Sequence, residues 1–286
     1  MEIRVEDLEY VYNAGTPLEV KALAEVTFSL PHAKVLGILG GTGSGKTTLI
    51  KTLNGLLIPT GGRVLIDGTD TRSLGSELRR KVGVVFQRPE RQLFEETVYL
   101  DVTFVLRRFS GLSAEQIRQR AEQACEVVGL DLAGVGDRSP LALSDGEKRK
   151  AAIAGVLINE PETLVLDEPA VGLDPPSVAG LARTLKRLKA SGQTTVVIVS
   201  HDMENFLGLL DLLLVLHKGT LAAFGRPGEV CEQLADDPAL TRLLPRLALL
   251  IHDIRKVGHT VADREFSLSV LASELAGLMR SEGSLP

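Results

Sequence analysis

Residues 40–47, with the sequence GGTGSGKT, constrain the fold of this chain more than any other feature. They match the pattern G-x-x-x-x-G-K-[ST] and lie between an unbroken apolar run at 35–39 and a helix-like stretch at 48–56. Glycines at these spacings let backbone N–H groups turn inward around phosphate oxygens, and the following helix directs its positive end at the same anion. The strand–loop–helix context that this motif requires is present, so we predict a phosphate-binding loop.

The pattern of apolar runs predicts an α/β fold. Runs at 82–86, 164–166 and 195–199 resemble the one at 35–39, because they are apolar without alternation. Such runs are typical of strands buried on both faces of a sheet, and the helical patterns between them predict parallel strands joined by helices. The first thirty residues instead alternate apolar and polar side chains on either side of a turn at 15–17, which predicts paired strands.

Two regions are predicted to be helical additions to this unit. Residues from about 90 to 160 contain a capping box, Ser113 to Gln116, and read as a mostly helical insert within a main unit spanning residues 1–228. Residues 229–286 carry two apolar stripes at helical spacing, namely Leu247, Leu250, Ile251 and Ile254, then Leu268, Leu271, Leu275 and Leu278. We predict a C-terminal helical extension, which either packs on the main unit or mediates dimerisation.

Candidate catalytic side chains follow the buried runs. Asp167 and Glu168 end one run, while Gln87 and His201 follow two others. Polar residues at strand carboxyl ends build ligand sites in open α/β sheets. Asp167 is positioned for the Mg²⁺ shell, and Glu168 is positioned to polarise an attacking water as general base.

The phosphate loop supplies the remaining candidates for nucleotide binding. Lys46 adds a point charge at the β- and γ-phosphates, and Thr47 offers a hydroxyl to Mg²⁺. The predicted nucleotide-binding residues of this segment are Gly40, Gly41, Thr42, Gly43, Ser44, Gly45, Lys46, Thr47 and Thr48. This loop occurs in kinases, GTPases and transport ATPases alike, so it does not choose among them.

A second motif identifies the family. Leu143-Ser-Asp-Gly-Glu147 lies before the Asp167 run and opens a helix-like stretch at 144–158. With it, the chain resembles the ABC ATPases, whose motif series it shows in order. That series is Tyr12, the Walker A loop 40–47, the Q-loop Gln87, the signature 143–147, Walker B 164–168, the D-loop 172–174 and the switch His201. The resemblance covers about residues 1–228 and implies a P-loop core with an antiparallel β subdomain and a helical subdomain.

The resemblance also implies roles for individual residues in binding and hydrolysing ATP with Mg²⁺. Tyr12 would stack on adenine, and Asp174 would lie with the nucleotide through the D-loop. Gln87 would sense Mg²⁺ and water and pass that state to a transmembrane partner, and His201 would contact the γ-phosphate and orient Glu168. Ser144 and Gly146 would reach the γ-phosphate held by a second ATPase subunit, so that ATP bridges a dimer.

The signature departs from the family pattern at one glycine. Asp145 replaces the first glycine of LSGGQ, while Gly146 keeps the second. A carboxylate near a triphosphate costs free energy unless it faces away or finds a cation.

Residues 87–98 and 12–23 are similar to segments of energy-coupling-factor and cobalt-type uptake ATPases. In that group, two ATPases hold a shared transmembrane coupling subunit that works with a substrate-binding membrane subunit. The resemblance implies a peripheral subunit at the cytoplasmic face of the cell membrane, energising uptake of a vitamin or a transition-metal ion. Residues 88–98 would line the groove for the coupling subunit, or would only pack the helical insert. The second ATPase is either a copy of this chain or a paralogue.

Composition argues against several other classes of function for this chain. The net charge of −5 and the pI of about 5.7 argue against nucleic-acid binding through a broad basic surface. No run reaches the ~18 apolar residues of a membrane helix, since 207–216 is short and contains Asp211. Cys125 and Cys231 have no metal-like spacing. The alternatives kept are an ABC ATPase of another transporter type, a non-transport ABC ATPase, a P-loop kinase, and a module that holds ATP without turnover.

Overall fold

The structure, a computed structural model, describes residues 1–88, 91–259, 266 and 271–273. Over these residues it contains ten strands, β1 (Ile3–Tyr12), β2 (Val20–Leu30), β3 (Val35–Leu39), β4 (Gly61–Ile66), β5 (Thr69–Asp70), β6 (Val82–Val85), β7 (Thr163–Asp167), β8 (Thr195–Ser200), β9 (Leu212–His217) and β10 (Thr220–Gly225). The helices are α1 (Lys46–Leu53), α2 (Thr71–Leu74), α3 (Ser76–Lys81), α4 (Val98–Phe109), α5 (Ala114–Val128), α6 (Leu132–Val135), α7 (Asp145–Leu157), α8 (Pro175–Ser191), α9 (Pro227–Leu234) and α10 (Arg246–Lys256).

The larger sheet is the one that the apolar runs predict. Its strand order is β10-β9-β3-β8-β7-β6, and β9, β3, β8, β7 and β6 are parallel, while β10 is an antiparallel edge strand. Every residue of β3, β7 and β8 is buried, as expected for strands covered on both faces. The parallel α/β prediction is therefore confirmed, and the carboxyl ends of β3, β7 and β8 meet at one edge.

A second sheet is antiparallel, in the order β2-β1-β4-β5. Its inward side chains, including Val5 and Leu8, share a buried cluster with Leu36 and Ile38 of β3 and with Leu49 of α1. The antiparallel subdomain is confirmed, and it packs together with α1 on one face of the parallel sheet.

The predicted helical insert is also present. The helix α5 begins at the Ser113–Gln116 capping box, and its buried face includes Ile117, Ala121 and Ala124. These residues pack in one cluster with buried residues of α4 and α7 and with Leu164 and Leu166 of the sheet.

Residues 207–216 do not form a helix long enough to cross a membrane. They form a short 3-10 turn, Leu207–Leu209, followed by β9. No helix in the described part of the chain combines the length and the apolar character of a membrane span.

The boundary predicted at residue 228 falls in the first turn of α9, so the predicted C-terminal extension would begin with that helix. Leu247 and Ile251 of α10 are buried and form a small cluster with Leu271. Glu204 accepts the N–H groups of Arg246 at 2.7 Å and of Leu247 at 3.1 Å, which anchors α10 to the main unit. These contacts support the packing alternative for α10. Leu268, Leu275 and Leu278 lie outside the described residues, and dimerisation through the extension stays a prediction.

Candidate active site

The phosphate loop connects β3 to α1 in a conformation that depends on glycine. Gly43 and Gly45 have φ angles of +76° and +102°, in the left-handed region that L side chains disfavour. A Cβ atom at Gly45 would lie 2.7 Å from the carbonyl oxygen of Ala22, which leaves no room for a side chain. The Ser44 hydroxyl is buried within this loop without a hydrogen-bond partner among the described residues. An orphaned donor in a glycine-lined loop at a helix N-terminus fits a phosphate ligand.

Lys46 folds back over the same loop. Its Nζ donates to the carbonyl oxygens of Gly40 at 2.6 Å and Gly41 at 3.0 Å. Burial lowers the pKa of Lys46, and the carboxylates of Glu168 and Asp167 oppose that shift. The ammonium therefore lies among phosphate-loop carbonyls and the two acidic residues at the end of β7.

Asp167 and Glu168 lie at the carboxyl end of β7, as the sequence predicts, and both are buried. Burial, and next the charge of Glu168, raise the pKa of Asp167 to about 6, while Lys46 acts in the opposite direction. Two adjacent buried carboxylates beside one lysine attract a further cation. Thr47, an exposed residue on the first turn of α1, carries a hydroxyl, which is an oxygen ligand of the kind that Mg²⁺ prefers.

The Glu168 carboxylate is held by three groups at the end of β8. It accepts the Ser200 hydroxyl at 2.9 Å and the His201 backbone N–H at 3.0 Å, and His201 Nδ1 lies 2.9 Å from Oε2. The structure thus brings together Glu168 and His201, the pair that the family resemblance connects. The His201 side chain is 58% exposed, so its ring reaches from this carboxylate toward solvent.

Tyr12 lies beside the first turn of α1. Its hydroxyl is 3.2 Å from the Thr48 hydroxyl, and its ring packs edge-on against Tyr10 with centroids 4.8 Å apart. An aromatic ring is therefore fixed next to the phosphate loop, where an adenine-stacking residue is expected.

Gln87 lies apart from Lys46, Asp167 and Glu168, in a cavity that those residues do not line. It is exposed after β6 and, with Asp145, Lys148 and the D-loop residues Gly172 and Leu173, lines a space of about 330 Å³. The Q-loop, signature and D-loop of one chain therefore meet at this cavity. Asp174 caps α8 by accepting the Ser177 N–H at 3.2 Å.

Ser144 begins α7 and its contacts stay within the first turn of that helix. Its N–H and hydroxyl both donate to Glu147 Oε2, at 2.8 and 2.7 Å, and its Oγ accepts the Glu147 N–H. These hydrogen bonds lower the pKa of Glu147, which keeps it a carboxylate. Sequence reasoning missed this residue, although the S-x-x-E spacing from Ser144 to Glu147 predicts a capping box.

The substituted signature residue finds a cation. Asp145 is 81% exposed, and the Lys148 ammonium lies 3.6 Å from its carboxylate. The backbone of Gly146 lies against α8, since a Cβ atom there would be 2.9 Å from the Ser177 hydroxyl. Glycine is thus retained where the helix is closely packed, and the carboxylate stands at the exposed position.

Similar proteins share this arrangement of sequence and fold. The ABC transporter family model matches residues 23–171. The energy-coupling factor transporter ATP-binding protein EcfA2 of Clostridium tetani is 38% identical over 287 residues, 99% of either chain. The protein of the same description from Symbiobacterium thermophilum is 40% identical over 289 residues, covering 98% of this chain and 97% of its own length.

Comparison with solved structures also finds ABC transporter subunits. The protein cbiO1 of Clostridium perfringens, described as part of the ABC transporter complex cbiONQ, superposes with a TM-score of 0.73 at 35% identity, over 87% of this chain and 98% of its own. The dimeric bacterial ABC transporter cassette MJ0796 has a TM-score of 0.70 at 28% identity, over 78% and 98%. The chain belongs to the ABC transporter family, and within it to the ATP-binding, ATP-hydrolysing subunits of energy-coupling factor transporters.

Proposed function

We propose that this chain works as one half of an ATP-bridged pair of ATPases. In this pair, the nucleotide lies between the phosphate loop of one subunit and the signature segment, residues 143–147, of the other. The pair would act at the cytoplasmic face of the cell membrane, on a transmembrane coupling subunit that serves a substrate-binding membrane subunit. Its cargo class would be a vitamin or a transition-metal ion taken up by the cell.

The observation that supports this proposal is that the predicted site residues lie in two separate places on the chain. Lys46, Asp167, Glu168 and His201 gather at one sheet edge, whereas the side chain of Ser144 hydrogen-bonds only within α7 among the described residues. The signature segment is exposed at Ser144 and Asp145. A second subunit carrying the same fold would present the missing half to each.

The chemistry follows from the residues of each half. A triphosphate in the loop would take over the hydrogen bonds that Lys46 makes to the Gly40 and Gly41 carbonyls. Glu168, oriented by Ser200 and His201, would accept a proton from the attacking water. Thr47 and Asp167 would hold Mg²⁺, which when bound neutralises charge on the transferred phosphoryl group. Gln87, predicted as a third ligand, lines the cavity with Asp145 and would have to move to join them. His201, with its exposed ring, would contact the γ-phosphate.

Replacing Asp145 by glycine tests the proposed position of the signature segment. The change removes a negative charge that would face the triphosphate of the partner, so ATP-driven association should need about threefold to tenfold less ATP. The measurement is sedimentation of the complete ATPase pair over a range of ATP concentrations. Asp137→Asn, a change of the same charge outside residues 143–147, is the control. An unchanged ATP requirement would place the signature segment away from the nucleotide.

Exposed apolar side chains on the helical insert fit a docking surface for the coupling subunit. Phe94, Val105 and Phe109 are 65%, 37% and 70% exposed. Asp101 is buried below this surface and accepts the N–H groups of Phe94 at 2.7 Å and Glu95 at 2.9 Å. The backbone that presents Phe94 is therefore fixed before any partner binds. Pro89 and Glu90, which belong to the predicted groove, lie outside the described residues.

Gln92 instead fits the packing alternative for residues 88–98. Its side chain accepts the Phe86 N–H at 3.1 Å and donates to the Val84 carbonyl at 3.4 Å, which satisfies the free edge of β6. A residue that completes the sheet edge stabilises the fold. The neighbouring Phe94 is largely exposed, although its ring packs edge-on against Phe104 with centroids 4.8 Å apart.

The two neighbours therefore form a matched pair of variants. Phe94→Ala should lower transport by about tenfold or more, while basal ATPase activity stays within about twofold, because loss of an interface anchor costs ~2 kcal/mol or more. Gln92→Ala should lower transport and ATPase activity together. Both activities are measured on the whole transporter in vesicles, with Phe94→Leu as the conservative control. Equal loss of both activities in Phe94→Ala would show that Phe94 packs the helical insert and does not bind the coupling subunit.

Purification from membranes tests the assembly as a whole. A tagged copy of this chain, extracted in mild detergent, should bring down a second ATPase and at least two membrane proteins, and the mixture should hydrolyse ATP. Recovery of this chain with no membrane protein would contradict the proposed partnership.

A further inference from the structure

Arg149 is a buried cation that connects the signature helix to the catalytic strand end. It is 7% exposed and lies on α7, five residues after Ser144. Its Nη1 donates to the carbonyl oxygens of Glu168, at 3.3 Å, and Pro169, and its Nη2 donates to that of Val171 at 3.1 Å. One guanidinium therefore holds three backbone carbonyls of the segment that follows Walker B.

That segment needs an external support because its backbone is strained. Glu168 has a φ angle of +49°, in the left-handed region, where a residue with a side chain is disfavoured. A strained conformation persists only when surrounding contacts determine it. On one side these are the contacts to β8, where Glu168 N–H donates to Val199 at 2.7 Å and the carboxylate meets Ser200 and His201. On the other side, Arg149 holds the carbonyl of the same residue.

We propose that Arg149 is a positioning residue for Glu168, through which the orientation of α7 sets the place of the general base. Because Ser144 begins the same helix, a shift of its signature end on binding one nucleotide would be passed to Glu168, the carboxylate that activates water for attack on the other nucleotide. The proposal rests on the proposed ATP-bridged pair. It assigns Arg149 no contact with nucleotide or water.

The first test separates catalysis from nucleotide binding. In the complete transporter, Arg149→Ala should lower kcat by about 10- to 100-fold, because three hydrogen bonds to a charged group are lost. The dissociation constant for ATP should stay within about twofold, since the phosphate loop is untouched. Arg149→Lys, which keeps the buried charge and part of the hydrogen bonding, should recover a measurable part of the rate. The Hill coefficient for ATP should fall toward one in Arg149→Ala.

Chemical rescue tests whether the lowered kcat of Arg149→Ala comes from the missing guanidinium group or from loss of folding. Millimolar guanidinium ion should raise the rate of Arg149→Ala at least threefold, because the ion fits the space left by the side chain, whereas urea at the same concentration should not. Lys189→Ala is the matched control, since Lys189 also holds a loop carbonyl, that of Leu209 at 2.8 Å, but on a loop without predicted site residues. It should destabilise the protein while leaving kcat and the Hill coefficient unchanged.

A double variant tests whether Arg149 acts through Glu168. If it does, Glu168→Gln with Arg149→Ala should hydrolyse ATP in single turnovers within about twofold of Glu168→Gln alone. Full additivity of the two losses, or an Arg149→Ala enzyme with the wild-type kcat and Hill coefficient, would overturn the inference. Both outcomes presuppose that the wild-type assembly hydrolyses ATP. A wild-type assembly without that activity would instead contradict the proposed function.

Discussion

Lys46→Ala should weaken ATP binding by this chain by about 100-fold, because the loss of charge-assisted hydrogen bonds to phosphate costs ~2–3 kcal/mol. Lys46 is a buried cation within the phosphate loop, and its removal takes away the larger of the two positive charges that act on Asp167, the other being Lys51. The triphosphate would then meet Asp167 and Glu168 without the lysine between them. Isothermal titration with ATP measures the change directly.

The control for this variant lies on the same helix. Lys51→Ala removes a second cation that acts on Asp167 from the last turn of α1, outside the phosphate loop. Its effect on ATP affinity should stay below about threefold, because the interaction is weaker and screened by solvent. Equal losses in the two variants would show that general charge, and not the loop lysine, binds the nucleotide. An unchanged affinity in Lys46→Ala would contradict the assigned phosphate site.

Glu168→Gln should stop hydrolysis and trap the ATP-bound pair. The substitution keeps the shape of the side chain but removes the basic oxygen that accepts a proton from water, so the rate should fall by about 10²- to 10⁴-fold. Binding should persist, because the phosphate loop and Lys46 are unchanged. ATPase assays measure the first effect, and sedimentation with ATP should show a pair that persists after wild-type protein has returned to separate subunits.

A carboxylate at the opposite end of the same strand provides the comparison. Glu162 precedes β7 and pairs with Lys81 at 3.5 Å, away from the phosphate loop. Glu162→Gln should therefore hydrolyse ATP at the wild-type rate. If Glu168→Gln also hydrolyses at that rate, another group must activate the water.

Much of the fold could be predicted from the sequence because its strongest signals are local. Unbroken apolar runs mark β3, β6, β7 and β8 within about one residue of their observed ends, and the capping box marks the start of α5. The strands β4, β5, β9 and β10 were not predicted. The apolar run of β9 lies within 207–216, which was considered only as a membrane-span candidate. The strands β4 and β10 show no alternation, β5 has only two residues, and β10 pairs with β9 around the turn at Gly219 only in the folded sheet.

The site residues also divide into those that a sequence motif predicts and those that only the folded structure shows. Lys46, Asp167 and Glu168 belong to contiguous motifs, and the strand order brings them together. Arg149 could not be found from a pattern, because its contacts to Glu168, Pro169 and Val171 join segments about 20 residues apart in a geometry that only packing of α7 on the sheet creates. The opposite roles of Gln92 and Phe94 are likewise invisible in a shared motif, since burial separates them.

Cleavage by trapped orthovanadate tests the bridged nucleotide most directly. Vanadate held in the position of the γ-phosphate after turnover, then irradiated with ultraviolet light, cuts the backbone that lies against it. In the native assembly with ATP, this chain should be cut both within residues 40–47 and at Ser144. Cuts confined to residues 40–47 under all nucleotide conditions would show that the signature segment never reaches a neighbouring triphosphate.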